Sequence, residues 1–164
     1  MEMTTIDKYP ESKTVIRFQD CDAFGHLNNA RFINYFINAR EDHLREYYAF
    51  DLYEHAKASN QNWFITRHEI SYLRPAQLGE TVTIKTRLIQ FTNNTLMVEG
   101  AMFDAAGLKL KAVQWTTFRY VDLQRGRSAM HPEPVAALLA SVVVDGVEKE
   151  NLDKRIAEIK LASR

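Results

Sequence analysis

The sequence has a single cysteine, Cys21, which excludes an intramolecular disulfide framework and fits a reducing compartment, with the cytoplasm as default. It has no excess of either charge: 21 Lys and Arg stand against 21 Asp and Glu, for a formal net charge of zero. A balanced surface argues against nucleic acid or a membrane as the main partner. No apolar run approaches the roughly 20 residues a membrane span needs, and the polar start Met1-Glu2-Met3-Thr4-Thr5 does not read as a secretory signal. Internal repeats, low-complexity tracts and a second domain are missing too. What is present is 164 residues, 46% of them hydrophobic, enough for one domain with a proper core.

The most informative stretch runs from Ile16 to Arg40. Val15-Ile16-Arg17-Phe18 has the β-branched and aromatic content of a half-buried strand. Next, Asp20, Asp22, Gly25, His26, Asn28 and Asn29 crowd into a segment too polar for helix or strand interior, which predicts a tight turn. From Ala30, apolar residues recur at helical spacing: Phe32, Tyr35, Phe36 and Ala39, with Ile33, Ile37 and Leu44. They predict a helix to about Tyr48 or Ala49, capped by Asn28 or Asn29. Because apolar residues lie nearly all round it, this helix is expected to be enclosed by the rest of the fold.

Residues 49–61 read as a polar connection with room for a short helical turn. Alternation from Trp63 to Leu73, ending before Pro75, predicts a strand, and further strands follow over Val82 to Ile89, Leu96 to Phe103 and Leu108 to Val121. Thr92-Asn93-Asn94-Thr95 and Asp104-Ala105-Ala106-Gly107 read as the turns between them. Pro134 suits the first turn of a short helix from Val135 to Leu139, and Leu152, Ile156, Ile159 and Leu161 mark an amphipathic C-terminal helix within 148–163. The resulting class is α+β: a long central helix wrapped by a curled, mostly antiparallel sheet of five to six strands. The expected organisation is an N-terminal arm at 1–12, a main domain at 13–125 and a helical extension at 126–164.

Chemistry follows from the turn. A helix N-terminus presents unpaired N–H groups and about half a positive charge. Asp22 lies just upstream, on a glycine-containing loop able to fold back. Carboxylate and amides together suit acyl transfer, the amides holding a carbonyl oxygen while the carboxylate attacks it or activates water.

Asp22-Ala23-Phe24-Gly25-His26-Leu27-Asn28-Asn29, preceded by Arg17, Phe18 and Asp20 and followed by an aromatic-rich helix reaching Ala39-Arg40, resembles the hotdog-fold acyl-CoA thioesterases related to 4-hydroxybenzoyl-CoA thioesterase. Their pattern is Asp-x-x-Gly-His-x-Asn-Asn after Arg-aromatic-x-Asp-x-Asp, and the likeness covers roughly residues 13–125. One departure is Ile37, where many relatives carry Glu. The resemblance implies a thioesterase for acyl-CoA, with Asp22 as nucleophile or general base and the backbone amide of Asn29 as oxyanion donor. It implies no metal or redox cofactor, and assembly into a homodimer or homotetramer with sheets joined edge to edge and sites at the shared boundary. An acyl-carrier-protein thioesterase and a non-catalytic acyl-CoA-binding or regulatory protein are the rival functions.

The residues themselves have competing readings. Asp22 is either catalytic or a simple turn cap. Asp20, on one strand face with Asp22 if the strand continues, is expected to support the turn. Gly25 permits the turn's backbone, and His26 is either a general base or a loop residue lining the site. Asn28 holds the loop or touches the acyl or pantetheine portion. Asn34 and Asn38 share a helix face and either line the pocket or pair across a subunit contact. Cys21 is a poor nucleophile, since its acidic neighbours raise a thiol's pKa, and a metal site built from Asp20, Asp22 and His26 lacks further ligands at suitable spacing. Among the basic residues Arg67, Arg74, Lys109, Lys111 and Arg119, Arg74 and Arg119 are the candidates for CoA phosphates. His68 is expected to pack in its strand.

Overall fold

The computed structural model describes residues 6–163; Met1 to Thr5, the polar start, lie outside the described residues. Strands β1 (Glu11–Val15), β2 (Gln61–Tyr72), β3 (Thr81–Phe91), β4 (Thr95–Asp104) and β5 (Leu110–Asp122) form an antiparallel sheet in the order β1-β3-β4-β5-β2. A two-residue strand, β6 (Arg127–Ser128), pairs with the end of β5. Irregular pairing at Ile65/Arg67, Leu88/Gln90 and Met102/Phe103 introduces bulges, which bend strands and curl the sheet. β1 and β2 are its two edges. With a helix in its hollow, this is the hotdog arrangement, the α+β architecture that the residue pattern predicts.

Helix α1 (Phe32–Tyr48) crosses the inner face of the sheet. Phe32, Phe36, Ala39 and His43 are its buried residues, spaced so that they form a single stripe. The expectation of a helix enclosed all round is therefore corrected: Asn34 and Asn38 are exposed, while Ile33, Tyr35 and Ile37 are only partly covered. Phe36 and Gly100 on β4 explain how closely helix and sheet approach, since a Cβ at position 100 would lie 2.5 Å from Phe36 Cδ1.

The first strand also sits earlier than expected. Ladder pairing with β3 runs from Glu11↔Lys85 to Val15↔Thr81; Ile16 adds one more pair of bonds, donating its N–H to Glu80 O (2.9 Å) and accepting from Gly79 N–H (2.9 Å), and beyond it no strand lies opposite the chain. Phe18–Asp20 instead form a 3-10 turn, closed by Asp20 N–H donating to Arg17 O (3.1 Å) and Cys21 N–H to Phe18 O (3.1 Å). Local β-propensity was overridden by the absence of a partner strand.

Leu52–Ser59 form an eight-residue helix, α2, capped by Asp51, whose side chain accepts from the N–H groups of Tyr53 and Glu54. α3 (Glu133–Val142) is longer than expected and packs Val135, Leu139 and Val142 against Leu88, Leu96 and Val98 on the inner face. α4 (Leu152–Ala162) lies on the opposite face, with Leu152, Ile156 and Ile159 over Ile89, Val113 and Trp115. There Glu99 of β4 is buried and receives Arg155 bidentately (Nε 2.8 Å, Nη2 2.9 Å) and Trp115 Nε1 at 3.1 Å. Among the described residues, no helix is long and apolar enough to cross a membrane.

Candidate active site

Backbone bonds close the polar turn before α1. Cys21 and Leu27 form a bridge, Asp22 N–H donates to His26 O (2.8 Å), and Gly25 N–H donates to Asp22 O (3.1 Å). Gly25 adopts φ 71°, a conformation that costs other residues a Cβ clash. Asp22 Oδ1 accepts from Phe24 N–H (2.9 Å) and His26 N–H (3.2 Å), so one oxygen organises the turn. Asp22 therefore does the turn-capping job, and its carboxylate is exposed to solvent with Oδ2 free of protein partners among the described residues. The turn is fastened beneath by Leu27 N–H to Ala76 O (2.8 Å) and Leu78 N–H to Gly25 O (2.9 Å).

The same turn delivers the helix start. Asn28 N–H donates to Asp20 O (2.9 Å), and Asn28 Oδ1 caps the following 3-10 turn (Asn29–Arg31) by accepting from Ala30 N–H (2.9 Å). Of the two Asn capping candidates, Asn28 caps this 3-10 turn, whereas α1 itself begins after Arg31 without a side-chain cap. Asn29 is exposed; Tyr72 Oη donates to its carbonyl (2.7 Å), and among the described residues no acceptor takes its N–H. Asp20 Oδ2 accepts from Tyr35 Oη (2.7 Å), and burial first, then the Asp20 charge, holds that phenol protonated. Because residues 18–20 are a turn, strand alternation does not apply to Asp20 and Asp22. Burial, followed by the charges of Asp22 and Asp20, pushes the Cys21 thiol up, which disarms it as a nucleophile.

Two recesses flank α1. A polar groove of about 590 Å³ runs between β1 and α1 and includes Asp20, Tyr35, Asn34 and Asn38. An apolar cavity of about 510 Å³ lies between α1, the inner face of the sheet, α2 and α3. Its wall includes Ile37, Trp63, Leu88, Val98, Phe118 and Leu139, with Arg40 and Glu41 its charged members. Glu41 is held by Arg45 at 2.9 Å. The cavity opens beside Phe64 and Ile65 of β2, which are 55% and 44% exposed.

Residues 16–139 match the sequence model of the thioesterase-like superfamily. The chain belongs to that superfamily. This thioesterase-like protein is 28% identical over 114 residues, 70% of its own length and 84% of the other's, to the long-chain acyl-CoA thioesterase FadM of Escherichia coli. Among solved structures it shares its fold with SAV2348 of Staphylococcus aureus in complex with CoA (TM-score 0.76, 15% identity, 87% of this chain and 90% of that one). A second is Slr0204, a 1,4-dihydroxy-2-naphthoyl-CoA thioesterase of Synechocystis (TM-score 0.73, 16% identity, 82% and 95%).

In this thioesterase-like protein Asp22, Gly25, His26, Asn28 and Asn29 are brought together by one closed turn. Arg74 and Arg119 are not near each other. Arg74 follows the end of β2 close to Tyr72, whereas Arg119 pairs across from Phe64 near its start and donates to Ser128 Oγ (3.3 Å). Both are exposed. Lys111 is withdrawn from ligand duty, buried with its ammonium on Glu80 (2.8 Å) and Pro75 O (2.9 Å). His68 packs as expected, with Nδ1 3.0 Å from Thr116 Oγ1. Reading the sequence missed the apolar cavity and its charged member Arg40, because its wall comes from four strands and three helices. The departure at Ile37 was the one local trace of it: an aliphatic group where relatives carry an acid leaves that wall apolar.

Proposed function

We propose that this protein hydrolyses acyl-CoA thioesters to a free acid and CoA. Asp22 acts through its free oxygen, as nucleophile on the carbonyl or as base toward water, and the Asn29 amide receives the developing oxyanion at the positive end of α1. As base, Asp22 takes a proton from water, the water oxygen bonds to the carbonyl carbon, and the C–S bond breaks to release CoA thiolate. Gly25 and Asn28 hold the turn that sets this geometry, and His26 lines it. The carrying observation is the pairing, on one closed turn, of an exposed carboxylate with an unengaged helix-opening amide. Similarity to a long-chain acyl-CoA thioesterase and to a CoA-bound structure supports the carrier.

The proposed assembly is a homodimer joined through β2. Tyr72 ties the catalytic turn to the C-terminal end of β2, while the apolar cavity opens at its N-terminal end, beside Phe64 and Ile65. At about 3.3 Å per residue, these lie roughly 20 Å apart in one chain. Antiparallel pairing of two β2 edges exchanges the ends, so the turn of one subunit meets the cavity of the other, and the open edge is covered. The outer face of the sheet is occupied by α4, which favours the dimer over a tetramer stacked through that face. Arg74 of one subunit and Arg119 of the other then approach the same boundary, as candidates for CoA phosphates.

Asp22→Asn tests the reading. The variant should keep its circular dichroism spectrum and lose at least about a hundredfold in turnover of a responsive acyl-CoA. Hydrolysis at the wild-type rate rejects the assignment of Asp22. Light scattering should give twice the chain mass, and a monomer that still turns over substrate removes the shared site.

A further inference from the structure

Arg40 is the unusual member of the apolar cavity. It is partly buried, donates Nη1 to Thr86 Oγ1 (3.2 Å) and lies 5.7 Å from the Tyr48 ring, but forms no ion pair among the described residues. The neighbouring carboxylate, Glu41, is committed to Arg45. A guanidinium has five donors and no acceptor, so most of its hydrogen-bonding capacity remains unused.

Beside it is a second unsatisfied group. Gln114 is 2% exposed; its Nε2 donates to Thr116 Oγ1 (2.8 Å), and its Oε1 has no protein partner among the described residues. Turning the amide over exchanges the two ends and still leaves one without a protein partner, because Thr116 can donate as well as accept. Arg40 and Gln114 both line a small cavity of about 10 Å³ with Phe36 and Gly100. That cavity shares Ile37, Arg40, Val98 and Phe118 with the large apolar one and so abuts it, between α1 and the sheet. Its volume holds one terminal oxygen atom, the rest of a ligand lying in the larger cavity it abuts.

An apolar channel that opens at the edge strand thus meets a polar pair deep in the inner face. A purely aliphatic chain pressed against that pair would shield Arg40 from water and leave the already buried Gln114 Oε1 still without a hydrogen bond, an arrangement that forgoes binding. We propose that the cavity receives an acyl chain whose far end carries an oxygen function, a hydroxyl or a carboxyl, bound by Arg40 and Gln114. This rests on the thioesterase reading for the near end of the chain and adds the substrate class. A hydroxyl satisfies both groups as they stand, accepting from Arg40 and donating to Gln114 Oε1. A carboxylate takes two donors instead, one from Arg40 and one from the amide turned over.

The test uses binding rather than turnover. Neutral N-ethylamides of ω-hydroxy, ω-carboxy and unsubstituted fatty acids, matched carbon for carbon, are titrated into the full chain. Trp63 in the cavity wall serves as the fluorescent reporter. The neutral amide head keeps a head carboxylate from reversing into Arg40. At the best chain length one oxygenated series should bind at least about tenfold tighter than its plain match, the scale of one buried hydrogen bond to a charged group. Which series wins tells hydroxyl from carboxyl. Gln114→Leu and Arg40→Met should each reduce the preference toward unity. Equal or tighter binding of the plain amide at every length, no binding by any series, or a preference surviving both variants overturns the proposal. If a variant fails to fold, the wild-type comparison alone decides. Unimpaired acyl-CoA hydrolysis by Asp22→Asn would strike the catalytic reading and leave this comparison intact.

Discussion

Acidification should destabilise this protein, and His43, the most strongly shifted of four histidines whose pKa burial lowers, should contribute most. His43 is fully buried on the inner stripe of α1, with Nδ1 2.8 Å from Thr86 Oγ1 and Nε2 2.8 Å from Ser12 Oγ. Arg40 can only donate, so the Thr86 hydroxyl accepts from it and keeps a second lone pair and a hydrogen with which to meet Nδ1. The neutral ring donates through one nitrogen and accepts through the other, and the two hydroxyls can serve either tautomer. A second ring proton would make both nitrogens donors and add a charge beside Arg40. Burial first, and the Arg40 charge second, push its pKa from the ordinary 6.5 down to about 4. Above 6.5 the ring is neutral in folded and unfolded chains alike, and its titration leaves stability unchanged. Between 6.5 and about 4 the unfolded chain binds a proton that the folded chain refuses, so stability falls as pH falls and levels out below about 4. At roughly 1.4 kcal/mol per pH unit, that interval amounts to about 3 kcal/mol. Urea unfolding of wild type and His43→Gln across this range separates the histidine from carboxylates, which titrate in both proteins. The wild-type advantage should shrink by about 3 kcal/mol on acidification. Parallel stability curves would refute the neutral, doubly bonded ring.

Two further substitutions probe how the helices are held. Gly100→Ala should cost about 1–3 kcal/mol, because its Cβ would sit 2.5 Å from Phe36 Cδ1, and Phe36→Leu in the same chain should return part of it; additive losses would argue against that clash. Arg155→Ala leaves Glu99 buried beneath α4 with Trp115 as its remaining donor, so a loss of about 3–5 kcal/mol in chemical denaturation is expected, and a change near zero would mean that α4 contributes little.

Much of the fold was legible because its signals are local. The alternation of β2, the turn at 92–95 and the helical spacing from Phe32 each depend on neighbours within a few residues, and each element is present. So is the turn from Asp22 to Asn29, whose glycine and capping asparagine act on their own backbone. Less legible was anything that depends on a partner distant in sequence. Val15-Ile16-Arg17-Phe18 has strand composition, yet pairing runs out after Ile16, which bonds only to Gly79 and Glu80 in the connection that leads into β3. α1 looks apolar all round, yet only Phe32, Phe36, Ala39 and His43 are buried, since its other apolar residues border the cavity and groove.

By itself, then, the order of residues determined the polar turn from Asp22 to Asn29, the helix that follows it and the number of strands, since backbone geometry and capping act over a handful of positions. Tertiary structure alone decided that Arg40 and Gln114, far apart in sequence, share one small cavity, that Lys111 belongs to Glu80, and that the turn and the apolar cavity occupy opposite ends of β2. Those facts arise from strand register and the curl of the sheet, which no local stretch of sequence encodes.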